Sequence, residues 1–250
     1  YWGTDDKGFL DPRAGCSKTS LVEYWKNKQE PNIIDVYANL YQDTELRVIP
    51  DRQGIMRPTK NILFPDGTIQ DKPEWRTVQG WLHLDSNPWN PPPNLYIQGI
   101  LTLSDSTETS GGFCCVPGFH LRRETWTSKN QAKKEEDMIT DLYFFSKDDP
   151  EQENVIKILA PAGSLILWDS RLPHCNYPNY DNTFRIVDYI TMERAKFLTP
   201  IVESRLLRIG VESIFCPPDS YFPNQITPLG RKLLDYNKYS QIIKTDTEKE

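Results

Sequence analysis

A β-rich core flanked by helices is the architecture this sequence predicts, on three observations. Short runs rich in β-branched and aromatic residues crowd together from about residue 78 to 191, helical spacing is confined to the stretches on either side, and no internal repeat interrupts them. At 250 residues the chain is long enough for one domain with a sizeable core.

Residues 1–20 are polar, with Gly3, Gly8, Pro12 and Gly15 as breakers, and read as irregular. Leu21–Glu30 reads as a helix. Beyond the Pro31 boundary, Asn32–Tyr41 reads as a second one, with Ile33, Val36 and Leu40 at helical spacing. Leu46–Pro50 is a short strand. Pro65-Asp66-Gly67 marks a turn, because glycine reaches the positive φ that such turns need. The strand signals that follow are Tyr96–Ser104, Phe113–Val116, Val155–Leu159, Ser164–Trp168 and Phe184–Thr191. Among them lies a polar, charged insertion at residues 122–153, helical in part from Arg123 to Lys134. Glu203–Gly210 and Pro228–Tyr236 read as helices that would cover strand residues such as Phe184 and Ile186.

The chemistry concentrates in the centre, where all three histidines fall: His83, His120 and His174. Trp81-Leu82-His83-Leu84-Asp85 alternates in the manner of a strand, and residues two apart on a strand share a face. His83 and Asp85 can therefore reach one ion while Leu82 and Leu84 pack on the other side. His174 ends the stretch Asp169-Ser-Arg-Leu-Pro-His174 after a strand-like run, so far along the chain that only the fold could bring it beside the pair. Two imidazoles and one carboxylate on one face of Fe(II) leave three positions open, the arrangement of non-haem iron oxygenases. Arg185 lies in a further strand, where it shares a face with Val187 and Tyr189. Its planar guanidinium can give a carboxylate two parallel hydrogen bonds that a lysine cannot copy, which predicts an anchor for an acidic cosubstrate. His120 has no such partners and reads as a hydrogen-bonded structural histidine.

The segments His83-Leu-Asp-Ser-Asn-Pro-Trp89, Gln98–Leu103, Gly111–His120 and Trp168–His174, with Arg185, together resemble the phytanoyl-CoA dioxygenase family. That family comprises Fe(II)/2-oxoglutarate oxygenases with a double-stranded β-helix (jelly-roll, cupin-like) core. The resemblance implies one oxygenase domain over residues 1–250, with its core over 40–195, a helical flank over 196–243 and a charged tail over 244–250. It implies His83, Asp85 and His174 as metal ligands and Arg185 as partner of the far carboxylate of 2-oxoglutarate. Asn176 is implied as a small polar cosubstrate contact, and Gln98 joins it on position and polarity. Fe(II), 2-oxoglutarate and O2 are the cofactors implied. The reaction implied is hydroxylation of a small organic molecule with release of succinate and CO2, because relatives that halogenate lack the carboxylate present here as Asp85. Pro117-Gly118-Phe119-His120 departs from the family's usual Pro-Gly-Ser-His, which removes any role of the serine hydroxyl.

Trp89, in the proline-rich and therefore stiff stretch Asn87–Pro93, is a candidate wall of the substrate pocket. Trp168 and Arg171, which lead into His174, are two more. The alternatives are a non-catalytic metal- or ligand-binding domain on the same fold, and an oxygenase acting on a protein or peptide. A net charge of −6 gives no electrostatic case for a nucleic-acid partner. No apolar run reaches the roughly 18–20 residues of a membrane span. Five cysteines, an odd number without a CxxC motif, fit a reducing intracellular compartment such as the cytoplasm. The chain starts at Tyr1 instead of methionine, so a targeting segment can precede it in the natural protein. Nothing in the sequence fixes an oligomeric state.

Overall fold

Two β-sheets occupy the centre of the chain in the computed structural model, which describes residues 22–49, 51, 53–77, 79, 81–134, 138–139, 142–200, 202–204, 206 and 226–235. The elements run α1 (Val22–Lys28), α2 (Pro31–Tyr41), β1 (Leu46–Ile49), β2 (Gln53–Met56), β3 (Ile62–Leu63), β4 (Ile69–Gln70), β5 (His83–Leu84), β6 (Ile97–Thr102) and β7 (Gly112–Cys115). There follow α3 (Phe119–Lys129), β8 (Met138–Ile139), β9 (Leu142–Phe144), β10 (Ile156–Lys157), β11 (Leu165–Asp169), β12 (His174–Tyr177), β13 (Arg185–Tyr189), β14 (Thr191–Arg194) and a last helix, α4 (Pro228–Leu233). The described residues fall into two compact units, one from Gly54 to Val187 and one from the segments before and after it.

The central unit holds a six-stranded sheet in the order β10-β7-β12-β5-β9-β8 and a four-stranded sheet in the order β11-β6-β13-β2. Neighbours in sequence are rarely neighbours in the sheets, the crossing pattern of a double-stranded β-helix. Phe113 of β7 meets Trp168 of β11 with ring centroids 4.5 Å apart, so the two sheets share an aromatic filling. Leu82 and Leu84 are fully buried, as the alternation at 81–85 predicts. Each contributes about 1.5–3 kcal/mol by burial, and a one-residue slip would exchange them with His83 and Asp85. That pattern therefore fixes the register of the strand that carries the first two polar groups of the site.

Four expectations change here. The stretch 122–153 is more than a polar insertion, because it supplies β9, which pairs with β5 through His83↔Phe144 and Leu84↔Tyr143. Its helix also begins earlier, at Phe119, where Gly118 takes φ 71° and the chain turns directly from β7 into α3. Phe119 is wholly buried among Trp126 and Phe145, and Trp126 in turn meets Tyr143. An aromatic cluster thus fills the place where the family's serine would stand. The hydrogen bond expected of His120 is not made at Nδ1, which is buried without a partner. Phe184, expected under a helix, is 48% exposed and stands just before β13 begins at Arg185.

In the second unit β1 pairs antiparallel with β14, from Leu46↔Arg194 to Ile49↔Thr191. Proline suits the first position of α2, since its missing N–H has no intrahelical partner there. The buried stripe of α2 is Ile33, Ile34, Tyr37 and Tyr41, whereas Val36 and Leu40 stay exposed. The tyrosines win the inner face because their hydroxyls donate to buried carbonyls, Tyr37 to Ile190 at 2.5 Å and Tyr41 to Met192 at 3.1 Å. Most of the expected helix Glu203–Gly210 and all of the tail 244–250 lie outside the described residues. No helix among the described residues is long and apolar enough to cross a membrane.

Candidate metal centre

Two strands of the six-stranded sheet deliver the site. His174 of β12 is the direct antiparallel partner of His83 in β5, so both side chains leave the same face of the sheet. Asp85 follows β5 by one residue and turns back toward them. His83 Nε2 lies 3.4 Å from Asp85 Oδ1, and His174 Nε2 lies 3.5 Å from Asp85 Oδ2. One donor atom from each of the three residues falls within 4.8 Å of the others, and no other such cluster occurs among the described residues.

Both imidazoles are aimed by their backbones. His83 Nδ1 lies 3.2 Å from the Trp81 carbonyl and His174 Nδ1 lies 3.0 Å from the Leu172 carbonyl. A carbonyl only accepts, so each Nδ1 carries the proton and each Nε2 lone pair is left for an ion, the usual support of a metal-bound histidine. Burial, and then the neighbouring His174, hold the His83 pKa below its ordinary value despite the pull of Asp85, which keeps this ring in its neutral, ligating form. Burial opposes ionisation of Asp85, but the closeness of His174 and then His83 outweighs it and holds the carboxyl well below the usual carboxylate range. The Asp85 side chain keeps 34% of its surface open, so the ionised oxygens remain reachable. Convergent Nε2 atoms, a carboxylate between them and locked tautomers fit a divalent metal with nitrogen and oxygen ligands.

Aromatic rings wall this group. Trp81 and Phe144 stack on His83 at 4.8 and 5.7 Å, and Trp168 and Phe113 flank His174 at 5.2 and 5.9 Å. Cys115 is the cross-strand partner of His174 on its other side, and burial pushes its thiol up to about 11, so it stays protonated at neutral pH.

The remaining candidates sort clearly. Arg185 lies in β13 of the four-stranded sheet at 2% exposure, with its stem against Gly111. A Cβ at Gly111 would come within 2.4 Å of Met56 Sδ, which would have to move, and would meet Arg185 Cβ at an ordinary contact distance of 3.4 Å. Asn176 is buried and two residues beyond His174, on the same face of β12. Gln98 donates to Asp85 Oδ2 at 2.6 Å, and Trp168 Nε1 donates to Gln98 Oε1 at 3.0 Å. Trp89 packs on Trp126 and Tyr143 while its indole donates to the Thr127 carbonyl, which anchors the proline-rich loop to α3. Arg171 is held by Asp169 through Nε at 2.8 Å and Nη2 at 2.5 Å, so its charge already has a bidentate partner.

Comparison with known proteins agrees with this geometry. Residues 68–187 match the family model of phytanoyl-CoA dioxygenase (PhyH). A Dictyostelium discoideum protein named for phytanoyl-CoA dioxygenase is 26% identical over 200 residues, which cover 67% of this chain and 53% of that protein. Ava biosynthesis cluster protein O of Aspergillus versicolor is 24% identical over 190 residues, covering 70% of this chain and 55% of that one. The chain thus spans about half the length of the curated relatives it matches. In fold it is similar to the GlcNAc inducible gene 2 product of Candida albicans, with a TM-score of 0.55 and 14% identity over 88% of this chain and 67% of that chain. Across residues 68–187, just under half of its length, the chain is similar to the phytanoyl-CoA dioxygenase (PhyH) family.

Proposed function

We propose that the chain is a single Fe(II)- and 2-oxoglutarate-dependent oxygenase domain that hydroxylates a small organic molecule and releases succinate and CO2. The observation that carries this is the convergence of His83 Nε2, His174 Nε2 and the Asp85 carboxylate, each already oriented by a neighbour. His83, Asp85 and His174 hold the metal, and bound Fe(II) supplies the oxidative chemistry with O2 and 2-oxoglutarate.

The protein's own contribution is binding, aim and dryness. Arg185 offers a planar pair of donors to the far carboxylate of 2-oxoglutarate, with Asn176 as a polar neighbour. The aromatic walls formed by Trp81, Phe113, Phe144 and Trp168 keep water from the histidines. They also support an apolar, C–H-bearing reaction partner, since a wall of ring faces offers contact area and few hydrogen bonds. Trp89 and the loop it anchors shape entry on the α3 side. Arg171, paired to Asp169, is the weakest pocket candidate.

The direct test is anaerobic loading with Fe(II), addition of 2-oxoglutarate and O2, and measurement of succinate with a panel of small acids, lipids, amino acids and peptides. Succinate release stimulated by a small molecule, with that molecule gaining one oxygen, is the expected result. Stimulation only by a folded protein or by nucleic acid would overturn the substrate class. No succinate under any condition, with metal bound, would leave a binding domain.

A further inference from the structure

The carboxylate at the centre of the site is held by a two-step relay that runs back into the four-stranded sheet. Trp168 of β11 and Gln98 of β6 are direct cross-strand partners, so their side chains share a face. The indole Nε1–H of Trp168 donates to Gln98 Oε1 at 3.0 Å, and Gln98 Nε2 donates to Asp85 Oδ2 at 2.6 Å. The chemistry permits only this direction. An indole nitrogen is a donor and nothing else, and an ionised carboxylate is an acceptor and nothing else. An amide lodged between them must present its oxygen to the indole and its nitrogen to the carboxylate, so the flip of Gln98 is decided by its neighbours.

We infer that Gln98, aimed by Trp168, is a positioning residue that holds one oxygen of Asp85 and leaves the other for the metal. The inference rests on the reading of His83, Asp85 and His174 as a metal site. Asp85 follows a strand of only two residues, and its carboxylate has open surface on one side. An untethered carboxylate there could turn and offer both oxygens. With Oδ2 taken by Gln98, Oδ1 remains, 3.4 Å from His83 Nε2. One oxygen from Asp85 and one nitrogen from each histidine fill three positions and keep three open, the number that a two-point cosubstrate and O2 require. The role assigned to Gln98 acts through Asp85, in place of a direct contact with 2-oxoglutarate. Trp168 gains a matching role, since its ring also lies against Phe113 and His174 and so fixes the relay to the packed centre.

Binding of Mn(II) and Co(II) to the full chain, without 2-oxoglutarate and without turnover, tests this. Gln98→Met keeps the length of the side chain and removes both hydrogen bonds. It should weaken metal affinity on the order of 10–100-fold, the usual effect of losing a partner of a metal ligand. It should also alter the Co(II) absorption spectrum, because the number of oxygens from Asp85 changes. Trp168→Phe keeps a ring and removes the donor, and it should weaken affinity less. In the double variant Trp168→Phe should add nothing to the loss caused by Gln98→Met, because its effect passes through the amide. Wild-type affinity and spectrum in folded Gln98→Met overturn the inference, as does simple additivity of the two changes. An unchanged metal affinity with a raised 2-oxoglutarate requirement would make Gln98 a cosubstrate contact instead. Where Gln98→Met does not fold, Trp168→Phe alone decides, and wild-type affinity and spectrum there overturn the inference. Failure of the wild-type chain to bind either metal sinks the metal-site reading itself and is distinct from all of these.

Discussion

Replacing His174 with alanine is expected to abolish both metal binding and 2-oxoglutarate turnover. The two other donors, His83 and Asp85, come from one short stretch of chain, and His174 is the donor that closes the group from β12. Its Nδ1 is already tied to the Leu172 carbonyl and its ring packs beside Phe113 and Trp168, which together hold the direction of the free Nε2. Alanine keeps the β12 ladder and deletes the ligand alone. Anaerobic Fe(II) titration followed by a succinate assay reads both effects. Stoichiometric iron with wild-type activity in this variant would dismiss the triad.

The second large effect is at Arg185. Arg185→Lys should raise the apparent 2-oxoglutarate requirement at least about tenfold, roughly 1.4 kcal/mol, because a fork of two parallel hydrogen bonds becomes a point charge. Arg185 is buried at 2% exposure, so a lysine there would hold its ammonium away from water and could not copy the fork. Succinate formation against 2-oxoglutarate at saturating Fe(II) measures the shift, and metal affinity should stay as it was. An unchanged cosubstrate dependence takes Arg185 out of the site.

The sequence displayed the triad because strand alternation is local. Leu82 and Leu84 inside, with His83 and Asp85 opposite, is a period-two pattern that a reader can see without the fold. It did not display β12 as a strand, since His174–Tyr177 is short, polar and follows Pro173, and its pairing with β7 and β5 is a long-range fact. It hid β9 for the same reason: three residues in a charged stretch become a strand only because β5 lies beside them. The inner face of α2 was misjudged by one position, because hydrophobicity ranks valine and leucine above tyrosine while the buried carbonyls of Ile190 and Met192 favour hydroxyls. Gln98 was legible as polar and central, but its link from Trp168 to Asp85 depends on two strands meeting a loop.

The site joins β5 to β12, two segments remote in sequence, and β5 is only two residues long. An ion held there is a removable crosslink across the middle of the six-stranded sheet. Whatever binds the folded chain and not the unfolded one stabilises it by mass action, about 2.7 kcal/mol at a free concentration one hundred times the dissociation constant. The melting temperature of the chain should therefore climb with added Mn(II) and fall back with a chelator, while His174→Ala melts at one temperature under both conditions. Metal supply would then set how long the molecule survives, and a cell short of iron would hold less of the protein as well as a less active one.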